Sequence, residues 1–412
     1  MREVVIVGGV RTAIGRMGGT IARYRAEELG AFAIRGVVDK TGIDPNVVED
    51  VIMGLSNSWH AAYNPARWAV LKAGLPYSLP GATVERQCSS GLQSVNYAAT
   101  QILAGLGDIY IAGGMESWSQ CPWMIPRADE AYSFTPPQIL RRETAPTPED
   151  SLVMGVTAEN LVEKYKISRG EQDAFGWRSQ ERAFRAIRAG YFKDEIIPLV
   201  ISQKKGQIVF DTDEHPRETS MEKLAALAPV FKKNGTVTAG TSSGRNDGAA
   251  AILMMTAQKA RELGYKPLAR WVTCAVAGVD PKIMGIGPAY AMPKALQRAG
   301  LKMSDMDVIE INEAFAAQVL ACLEAWQDAA YCKEELGLQS ALGAIDPARL
   351  NIDGGGISLG HPVGASGARI VLHLLHVLKR MNAQRGIASL CIGGGQGGAM
   401  LVEREKEQGY DR

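Results

Sequence analysis

The sequence predicts an α/β protein made of a duplicated unit, with an inserted region after the first copy. Near both ends of the chain, short apolar segments typical of buried strands alternate with segments of helical periodicity. Between these two regions prolines cluster and charges become dense, which interrupts the alternation. Because strands that alternate with helices usually form parallel sheets, we expect a largely parallel sheet covered on both faces.

The first copy begins with an apolar run directly after Arg2. Short apolar runs predict its strands, at 3–7, 51–54 and 109–114. Helical periodicity predicts helices over 26–38 and 64–73, the second ending at Gly74 with Pro76 beyond it. One more strand leads into Cys88, and an apolar helix follows this residue through Leu103. The order therefore indicates strands and helices that alternate up to about residue 117.

The inserted region is predicted to carry two amphipathic helices, over 157–165 and 168–189. The second opens with Ser168-Arg169-Gly170-Glu171, the spacing of a capping box, in which the two polar side chains satisfy free backbone N–H groups. A basic stretch follows and contains Lys204, Lys205, Arg217, Lys223, Lys232 and Lys233. Either a solvated lid surface or a phosphate-binding site would account for these charges.

The second copy repeats three segments of the first. After a strand predicted over 249–255, residues 304–311 resemble 44–52, and residues 388–394 resemble 109–114. A glycine turn and apolar helix over 360–378 take the place of the segment 88–103. We expect a first half over 1–117, completed by about 246–266, an insertion over 118–245 and a second half over 267–412. Duplication would place equivalent turns near a pseudo-two-fold axis, where one site could draw residues from both halves.

The composition excludes several classes of protein. The chain has 412 residues and a formal net charge of +1, so it has no general attraction to nucleic acid or to anionic membranes. Its six cysteines are scattered without a C-x-x-C pair, which supports neither a zinc site nor a disulfide framework. No apolar run reaches membrane-spanning length. We therefore expect a cytoplasmic protein.

A nucleophilic cysteine is one interpretation of the segment around Cys88. This residue lies between a predicted strand and a predicted helix, among small residues and a glycine. The positive end of a helix and its free N–H groups favour thiolate over thiol, and they can also hold an oxyanion. Since most free cysteines are simply small buried side chains, the local sequence alone leaves both interpretations open.

Three further stretches place polar residues at strand ends or helix starts. The glycine-rich loop 351–367 presents His361 between Gly360 and Pro362, without the order of a P-loop. Cys391 ends a predicted strand and precedes a run of glycines, whose backbone can approach a ligand closely. Asn312 directly follows the strand predicted over 308–311, where α/β sheets usually place their sites. His373 and His376, on the apolar helix, are expected to be structural.

These motifs, taken together, resemble the thiolase family of acetyl-CoA acetyltransferases and 3-ketoacyl-CoA thiolases over essentially the whole chain. The matching motifs are Gln87-Cys88-Ser89-Ser90-Gly91-Leu92-Gln93, Gly113-Gly114-Met115-Glu116-Ser117, Met154-Gly155-Val156-Thr157-Ala158-Glu159-Asn160, Thr238-Ala239-Gly240-Thr241-Ser242-Ser243-Gly244, Asn312-Glu313-Ala314-Phe315, Gly360-His361-Pro362 and Cys391-Ile392-Gly393. The resemblance implies a five-layered αβαβα fold of two duplicated halves with an inserted loop domain over the CoA. It also implies a homodimer or a homotetramer.

The resemblance implies thiolytic cleavage of a 3-ketoacyl-CoA, or the reverse condensation, as part of fatty acid metabolism. Cys88 would be the nucleophile activated by His361, and Cys391 would act as acid or base at the α-carbon. One oxyanion hole would use His361 and a water held by Asn312, and the other the N–H groups of Cys88 and Gly393. No metal or redox cofactor is implied, because the thioester of coenzyme A, which enters as a substrate, itself acidifies the α-carbon.

The resemblance also implies substrate-binding positions, with less specific motifs. They are Ser243 for the pantetheine arm, Arg217 for the CoA phosphates, and Met154 and Met284. Val153 departs from the histidine that short-chain biosynthetic thiolases often have before Met-Gly, and the segment 327–348 is longer than the family pattern suggests. Both departures leave acyl specificity open. The alternatives are a decarboxylating ketoacyl synthase, which usually has a second histidine in place of Cys391, and a non-catalytic acyl-CoA-binding subunit.

Overall fold

The first half is a sheet of strands with two helices on its outer face. A computed structural model describes residues 2–57, 62–128, 130–132, 134–203 and 206–404. The strands of this half are β1 (Val4–Thr12), β2 (Gly15–Arg16), β3 (Asp50–Gly54), β4 (Gly81–Val84) and β5 (Ile109–Ser117). Its helices are α1 (Ala26–Thr41), α2 (Pro65–Lys72) and α3 (Ser90–Ala104), with 3₁₀ turns at Pro45–Val47 and Gln87–Ser89. All the strands and helices predicted for this half are therefore present.

The insertion packs two long helices and a small hairpin beside this sheet. Its elements are α4 (Met154–Tyr165), α5 (Arg169–Arg188), β6 (Ile196–Ile197), β7 (Leu199–Gln203), β8 (Gly206–Phe210) and α6 (Met221–Ala225). The capping box predicted at the start of α5 is confirmed, because Ser168 and Glu171 each accept the other's backbone N–H. Lys204 and Lys205 of the basic stretch lie outside the described residues.

The second half begins after the chain returns to the first sheet. β9 (Asn246–Thr256) belongs to the sheet of the first half and is followed by α7 (Ala257–Glu262), whereas β10 (Ala269–Gly278) is the first strand of the second half. The remaining elements are α8 (Gly287–Ala299), β11 (Val308–Ile311), α9 (Ala316–Gln327), α10 (Ala329–Glu334), α11 (Gly356–Leu359), α12 (Val363–Arg380), β12 (Arg385–Ile392) and β13 (Gln396–Glu403), with 3₁₀ turns at Pro281–Ile286 and Met303–Asp305. The division at 117, 245 and 267 stays a prediction.

The strand order reveals the duplication. The large sheet runs β11-β12-β13-β10-β1-β9-β5-β3-β4, and β1 meets β10 through only the pairs Val5–Arg270 and Ile6–Ala269. On either side of that seam the order repeats, with β3, β5 and β9 corresponding to β11, β12 and β13. Even the parallel β3–β4 pairing has a counterpart in the parallel bridge between Ile309 and Leu350.

The expectation of a largely parallel sheet is wrong. Pairs β3–β4, β3–β5 and β11–β12 are parallel, but β9 pairs antiparallel with both β1 and β5, and β13 pairs antiparallel with both β10 and β12. The last strand of each half, β9 or β13, runs antiparallel to its neighbours, although β9 follows the whole insertion with its helices α4, α5 and α6. In the second half a short glycine turn joins β12 directly to β13, as a hairpin requires.

Three apolar clusters give the molecule five layers. One cluster joins α1 and α2 to the outer face of the first half's sheet, and a second joins α8 and α9 to the second half. The third lies between the halves and draws on α3, α12 and strands of both. The layers are therefore helix, sheet, helix, sheet, helix, with α3 and α12 as the central pair. None of the helices in the described residues is long and apolar enough to cross a membrane.

Candidate active site

Cys88 lies in a tight turn that its neighbours hold in place. β4 ends at Val84, the 3₁₀ turn covers Gln87–Ser89, and α3 starts at Ser90. Gln87 has φ of 45°, a left-handed conformation that costs a non-glycine residue free energy. The Ser90 hydroxyl oxygen accepts from Arg86 N at 2.8 Å and donates to Gln87 O at 2.7 Å, which fixes the turn.

The thiol of Cys88 is protonated at rest. The backbone N–H groups of Gly393 and of Cys88 itself point at its sulfur and lower its pKa, but burial outweighs them and raises the pKa to about 11. The N–H groups thus act in the expected direction, toward the thiolate, but desolvation disfavours the charged form more than these donors stabilise it. Cys88 needs a base to become a nucleophile.

His361 is an uncharged imidazole whose tautomer is set by Ser366. Its Nδ1 lies 2.6 Å from Ser366 Oγ, and that hydroxyl donates to Pro362 O at 3.0 Å. Since the single hydroxyl proton is used there, Nδ1 carries the proton and donates to Oγ, which leaves the lone pair on Nε2. Burial, together with nearby Arg369, lowers the pKa of His361 to about 3.

Asn312 and Cys391 lie beside this pair. Asn312 Nδ2 is 3.4 Å from His361 Nε2, and its Oδ1 is buried without a hydrogen-bond partner among the described residues. Cys391 is fully buried at the end of β12, where burial and the neighbouring Cys88 raise its pKa well above the usual range of a thiol. The structure thus brings Cys88, His361, Asn312, Cys391 and Gly393 to one place, with residues from both halves.

Three buried polar residues hold the His361 loop, and their contacts were not foreseen from the sequence. Asn246 Oδ1 accepts from His361 N at 3.0 Å. Glu313 accepts from Ile357 N at 3.3 Å and Ser179 Oγ at 2.6 Å, and Glu116 accepts from Gly364 N at 3.0 Å. Two of these, Glu116 and Glu313, lie within the motifs quoted above, but no local pattern indicates their partners, which lie far away along the chain.

The predicted substrate-binding residues have different surroundings. Ser243 is half-buried and donates its N–H to Ala314 O at 2.9 Å, which places it beside the Asn312 loop. Arg217 is exposed, and it lies two residues after His215, whose Nδ1 is 3.3 Å from Asn246 Nδ2. A β-carbon at Gly393 would lie 3.6 Å from Met154 Sδ. Met284 is 2% exposed and packs in the apolar cluster of the second half.

The long segment 327–348 lies at the other end of α4 from Met154. Its helix α10 packs the ring of Tyr331 against Tyr165 and Tyr290, with ring centroids 6.4 and 6.0 Å apart. Tyr165 is the last residue of α4, whereas Met154 is its first. A helix of 12 residues is roughly 18 Å long, so this segment contacts the end of α4 remote from Cys88.

The fold and the arrangement of this site define an acyltransferase. The family model described as "Thiolase, N-terminal domain" matches residues 4–258, and "Thiolase, C-terminal domain" matches residues 265–404. The chain therefore belongs to the thiolase family. As such it catalyses the reversible, CoA-dependent thiolytic cleavage of a 3-ketoacyl-CoA, or the condensation of two acyl-CoAs.

Similar proteins match over almost their whole length. Acetyl-CoA acetyltransferase of Chromobacterium violaceum is 46% identical over 407 residues, which cover 98% of this chain and all of that protein. A structure of acetyl-CoA acetyltransferase from Syntrophomonas wolfei matches with a TM-score of 0.90 and 40% identity, covering 98% of this chain and 100% of that one. The crystal structure of human mitochondrial 3-ketoacyl-CoA thiolase matches with a TM-score of 0.88 and 38% identity, covering 98% of this chain and 99% of that one.

Proposed function

We propose that thiolysis proceeds through an acyl group on Cys88. The observation that carries this proposal is the pair of N–H groups, from Cys88 and Gly393, that point at the Cys88 sulfur. An oxygen on a carbon bonded to that sulfur would lie within reach of the same donors. Removing one such donor typically costs about 3 kcal/mol of barrier height.

In the first step, His361 Nε2 takes the thiol proton as the Cys88 sulfur attacks the 3-keto carbon. The bond between carbons 2 and 3 then breaks, and its electron pair forms the enolate of acetyl-CoA. Cys391 protonates that enolate, and the acyl chain remains on Cys88. His361 and a water held by Asn312 stabilise the enolate oxygen. In the second step the thiol of CoA gives its proton to the Cys391 thiolate and attacks the acyl carbon, and the shortened acyl-CoA is released as the Cys88 sulfur leaves and takes back the proton from His361.

Neutral resting groups suit this order of events. Cys88 is a thiol and His361 an uncharged imidazole, so the ion pair forms only as substrate oxygen enters a site built to hold negative charge. The high pKa of Cys391 keeps it protonated and able to act as the acid. CoA itself supplies the activating thioester, and the proposed reaction uses no metal or redox cofactor.

We propose acetoacetyl-CoA as one substrate, since the relative that is 46% identical is named acetyl-CoA acetyltransferase. Ser243, Met154 and Met284 would contact the pantetheine arm or the acyl chain, and Arg217 the phosphates. We further propose a homodimer or homotetramer that acts in fatty acid metabolism in the cytoplasm. The six free cysteines, which suit a reducing compartment, support that location.

Mass spectrometry after addition of acetoacetyl-CoA tests the proposal. The wild type should carry one acetyl group on the peptide that contains Cys88, and Cys88→Ala should carry none. Cys391→Ala should still be acetylated by acetyl-CoA on Cys88, but it should neither condense acetyl groups nor cleave acetoacetyl-CoA. An adduct that survives Cys88→Ala would overturn the assignment, and loss of acetylation in Cys391→Ala would overturn the role of Cys391.

Two further assays define the substrate. Comparing kcat/KM across 3-ketoacyl-CoAs of increasing chain length measures the acyl preference that the segment around Met154 permits. Incubation with malonyl thioesters tests the related ketoacyl synthase reaction. Release of CO₂ at a rate comparable to thiolysis would favour that alternative over the proposed function.

A further inference from the structure

Glu116 is a buried carboxylate that the proposed mechanism does not use. It is the penultimate residue of β5 and is fully buried. Its Oε2 accepts from Gly364 N at 3.0 Å, from Ser56 N at 3.3 Å and from the Ser56 hydroxyl. Its Oε1 has no hydrogen-bond partner in the described part of the chain. Such a costly burial indicates that these contacts matter to the protein.

The contact with Gly364 caps helix α12 from outside. The first turn of a helix has N–H groups without partners inside the helix, and a side chain at the N-cap usually accepts from them. Here the N-cap is Pro362, whose side chain makes no such bond in the structure described. Glu116 supplies the acceptor instead, from a strand of the other half of the molecule. Its charge also suits the positive end of the helix.

The capped turn is the one that sets the ring of His361. Ser366, which accepts from His361 Nδ1, lies in the first turn of α12, two residues beyond Gly364. The backbones are also in direct contact, because a β-carbon at Gly114 would lie 2.1 Å from Gly364 O. A β-carbon at Gly364 would lie 2.6 Å from Met115 O. The end of β5 therefore sets the position of the turn that carries His361.

We propose that Glu116 is a positioning residue for His361. Glu116 caps α12 across the two halves, so that Nε2 of His361 is presented to Cys88. This inference rests on the proposed function. Glu116 also contributes a second effect: burial raises its own pKa to about 7, and above that pH its negative charge is one of the smaller causes that raise the pKa of Cys88. Losing the cap should slow transfer of the acyl group to Cys88, while losing the charge alone should make that thiol easier to ionise.

Single-turnover acylation of Cys88 by acetyl-CoA in the full-length chain separates these effects. Glu116→Ala removes both acceptor and charge, and we expect the first-order rate to fall about 100-fold, as for a catalytic group displaced by about 1 Å. Glu116→Gln keeps an acceptor for Gly364 N and should stay within about tenfold of the wild type. Glu116→Asp keeps the charge but is too short to reach, so it should be slower than Glu116→Gln. The comparison of Asp with Gln holds even if Glu116→Ala does not fold.

A second readout is alkylation of Cys88 by iodoacetamide as a function of pH. Glu116→Gln should move this profile to lower pH, because a negative charge near the thiol is gone. The nearby charges are Arg142 beside the Glu116 carboxylate, and Glu85 and Glu116 beside the Cys88 thiol. They are unchanged in this variant apart from Glu116 itself, so a profile identical to that of the wild type would contradict the effect of its charge.

Glu159→Gln is the matched control. Glu159 is also a buried carboxylate that accepts backbone N–H groups, from Thr236 and Val237 at 2.8 Å each, but it does not contact the His361 loop. The Glu159→Gln substitution should lower Tm without changing the acylation rate at 25 °C. Three results would overturn the inference. They are acylation of Glu116→Ala at the wild-type rate, faster acylation of Glu116→Asp than of Glu116→Gln, and an equal loss of rate in Glu159→Gln. Absence of any Cys88 adduct in the wild type would instead overturn the proposed function.

Discussion

Two buried histidines near helix α12, twelve positions apart, have opposite charge states. His361 lies before the first turn, where its neighbours are the Ser366 hydroxyl and the Asn312 amide, and its pKa is lowered to about 3. His373 lies in the middle of the helix, where its Nδ1 is 3.0 Å from Glu195 Oε2 and its Nε2 is 3.3 Å from Asp353 Oδ2. Burial alone would lower the pKa of His373, but these carboxylates outweigh it and raise the pKa to about 10.

The difference shows that the partners of a histidine, rather than its burial, decide whether it works as a base or as a structural cation. His373 belongs to a buried network in which Arg11 also contacts Glu195 at 2.7 Å and Asp213 at 2.6 Å. Breaking such a network leaves an uncompensated charge. His361 has a lone pair and no counter-ion in its described surroundings, so it can accept a proton for a short time. The network agrees with the structural role expected for His373.

The largest expected effect is on catalysis, from His361→Ala. Without a base for the Cys88 thiol, the rate of Cys88 acylation should fall about 1,000-fold, in line with the contribution of general bases. Thermal unfolding should change little, because His361 is not part of an ion pair. Stopped-flow or quenched-flow acylation measures the rate, and Tm serves as the control. An acylation rate close to that of the wild type would show that another group deprotonates Cys88.

His373→Gln should instead act on stability. It leaves Glu195 and Asp353 without the cation between them, and we expect the free energy of unfolding to fall by about 3 kcal/mol. Urea unfolding at pH 7 measures this loss. His376→Gln on the same helix is the matched control, since burial lowers the pKa of His376 and its imidazole is therefore not a buried cation. Equal losses in both variants would contradict a structural cation at His373.

Ser366→Ala should have a smaller effect than either change. It removes the acceptor for Nδ1–H, so the ring of His361 loses one constraint and its tautomer is no longer fixed. We expect acylation of Cys88 to slow about tenfold, the cost of roughly one hydrogen bond. Ser94→Ala in the equivalent helix α3 removes a buried serine hydroxyl without touching a histidine, and it should leave the rate nearly unchanged. Faster acylation of Cys88 in Ser366→Ala would mean that the Ser366 hydroxyl hinders the imidazole of His361 rather than orienting it.

The pH dependence of stability is the most gradual of these effects. His373 binds its proton more tightly in the folded chain than in the unfolded one, so its stabilising contribution is complete below about pH 6.5 and is lost as the pH rises toward 10. The difference in unfolding free energy between the wild type and His373→Gln should therefore shrink above pH 6.5, by at most about 1.4 kcal/mol per pH unit. Chemical denaturation from pH 6.5 to pH 9 measures it. A difference that grows with pH would reverse the assigned charge of His373.

The sequence predicts the elements well and their pairing less well. Runs such as 109–114 and 388–394 show two equivalent strands because buried strands need apolar residues and the same glycines follow both. The antiparallel course of β9 depends on how the chain re-enters the sheet after the insertion, and no local pattern records that. Cys88, His361, Asn312 and Cys391 could be grouped through their motifs. Their pKa values could not be foreseen, because desolvation depends on the complete packing around each group.

The equivalent strand ends also show where sequence reasoning stops. Cys391 and Glu116 are each the penultimate residue of their strand, β12 and β5, and these two strands correspond in the strand order of the two halves. A cysteine at a strand end attracts attention as a reactive group, whereas a glutamate in a glycine-rich motif has many possible partners. Only the fold shows that the carboxylate accepts from Gly364 N, in the first turn of a helix about 250 residues further along the chain.

The shared central layer makes folding of the two halves interdependent. α3 and α12 bury their apolar faces in a single cluster with strands of both halves, so neither half can complete its core alone. During synthesis the helix that follows Cys88 must wait with an uncovered face until residues beyond 363 emerge from the ribosome. The pocket around Cys88 therefore forms only after the second half has been made, and a truncated copy would remain a substrate for chaperones and proteases rather than a weak enzyme.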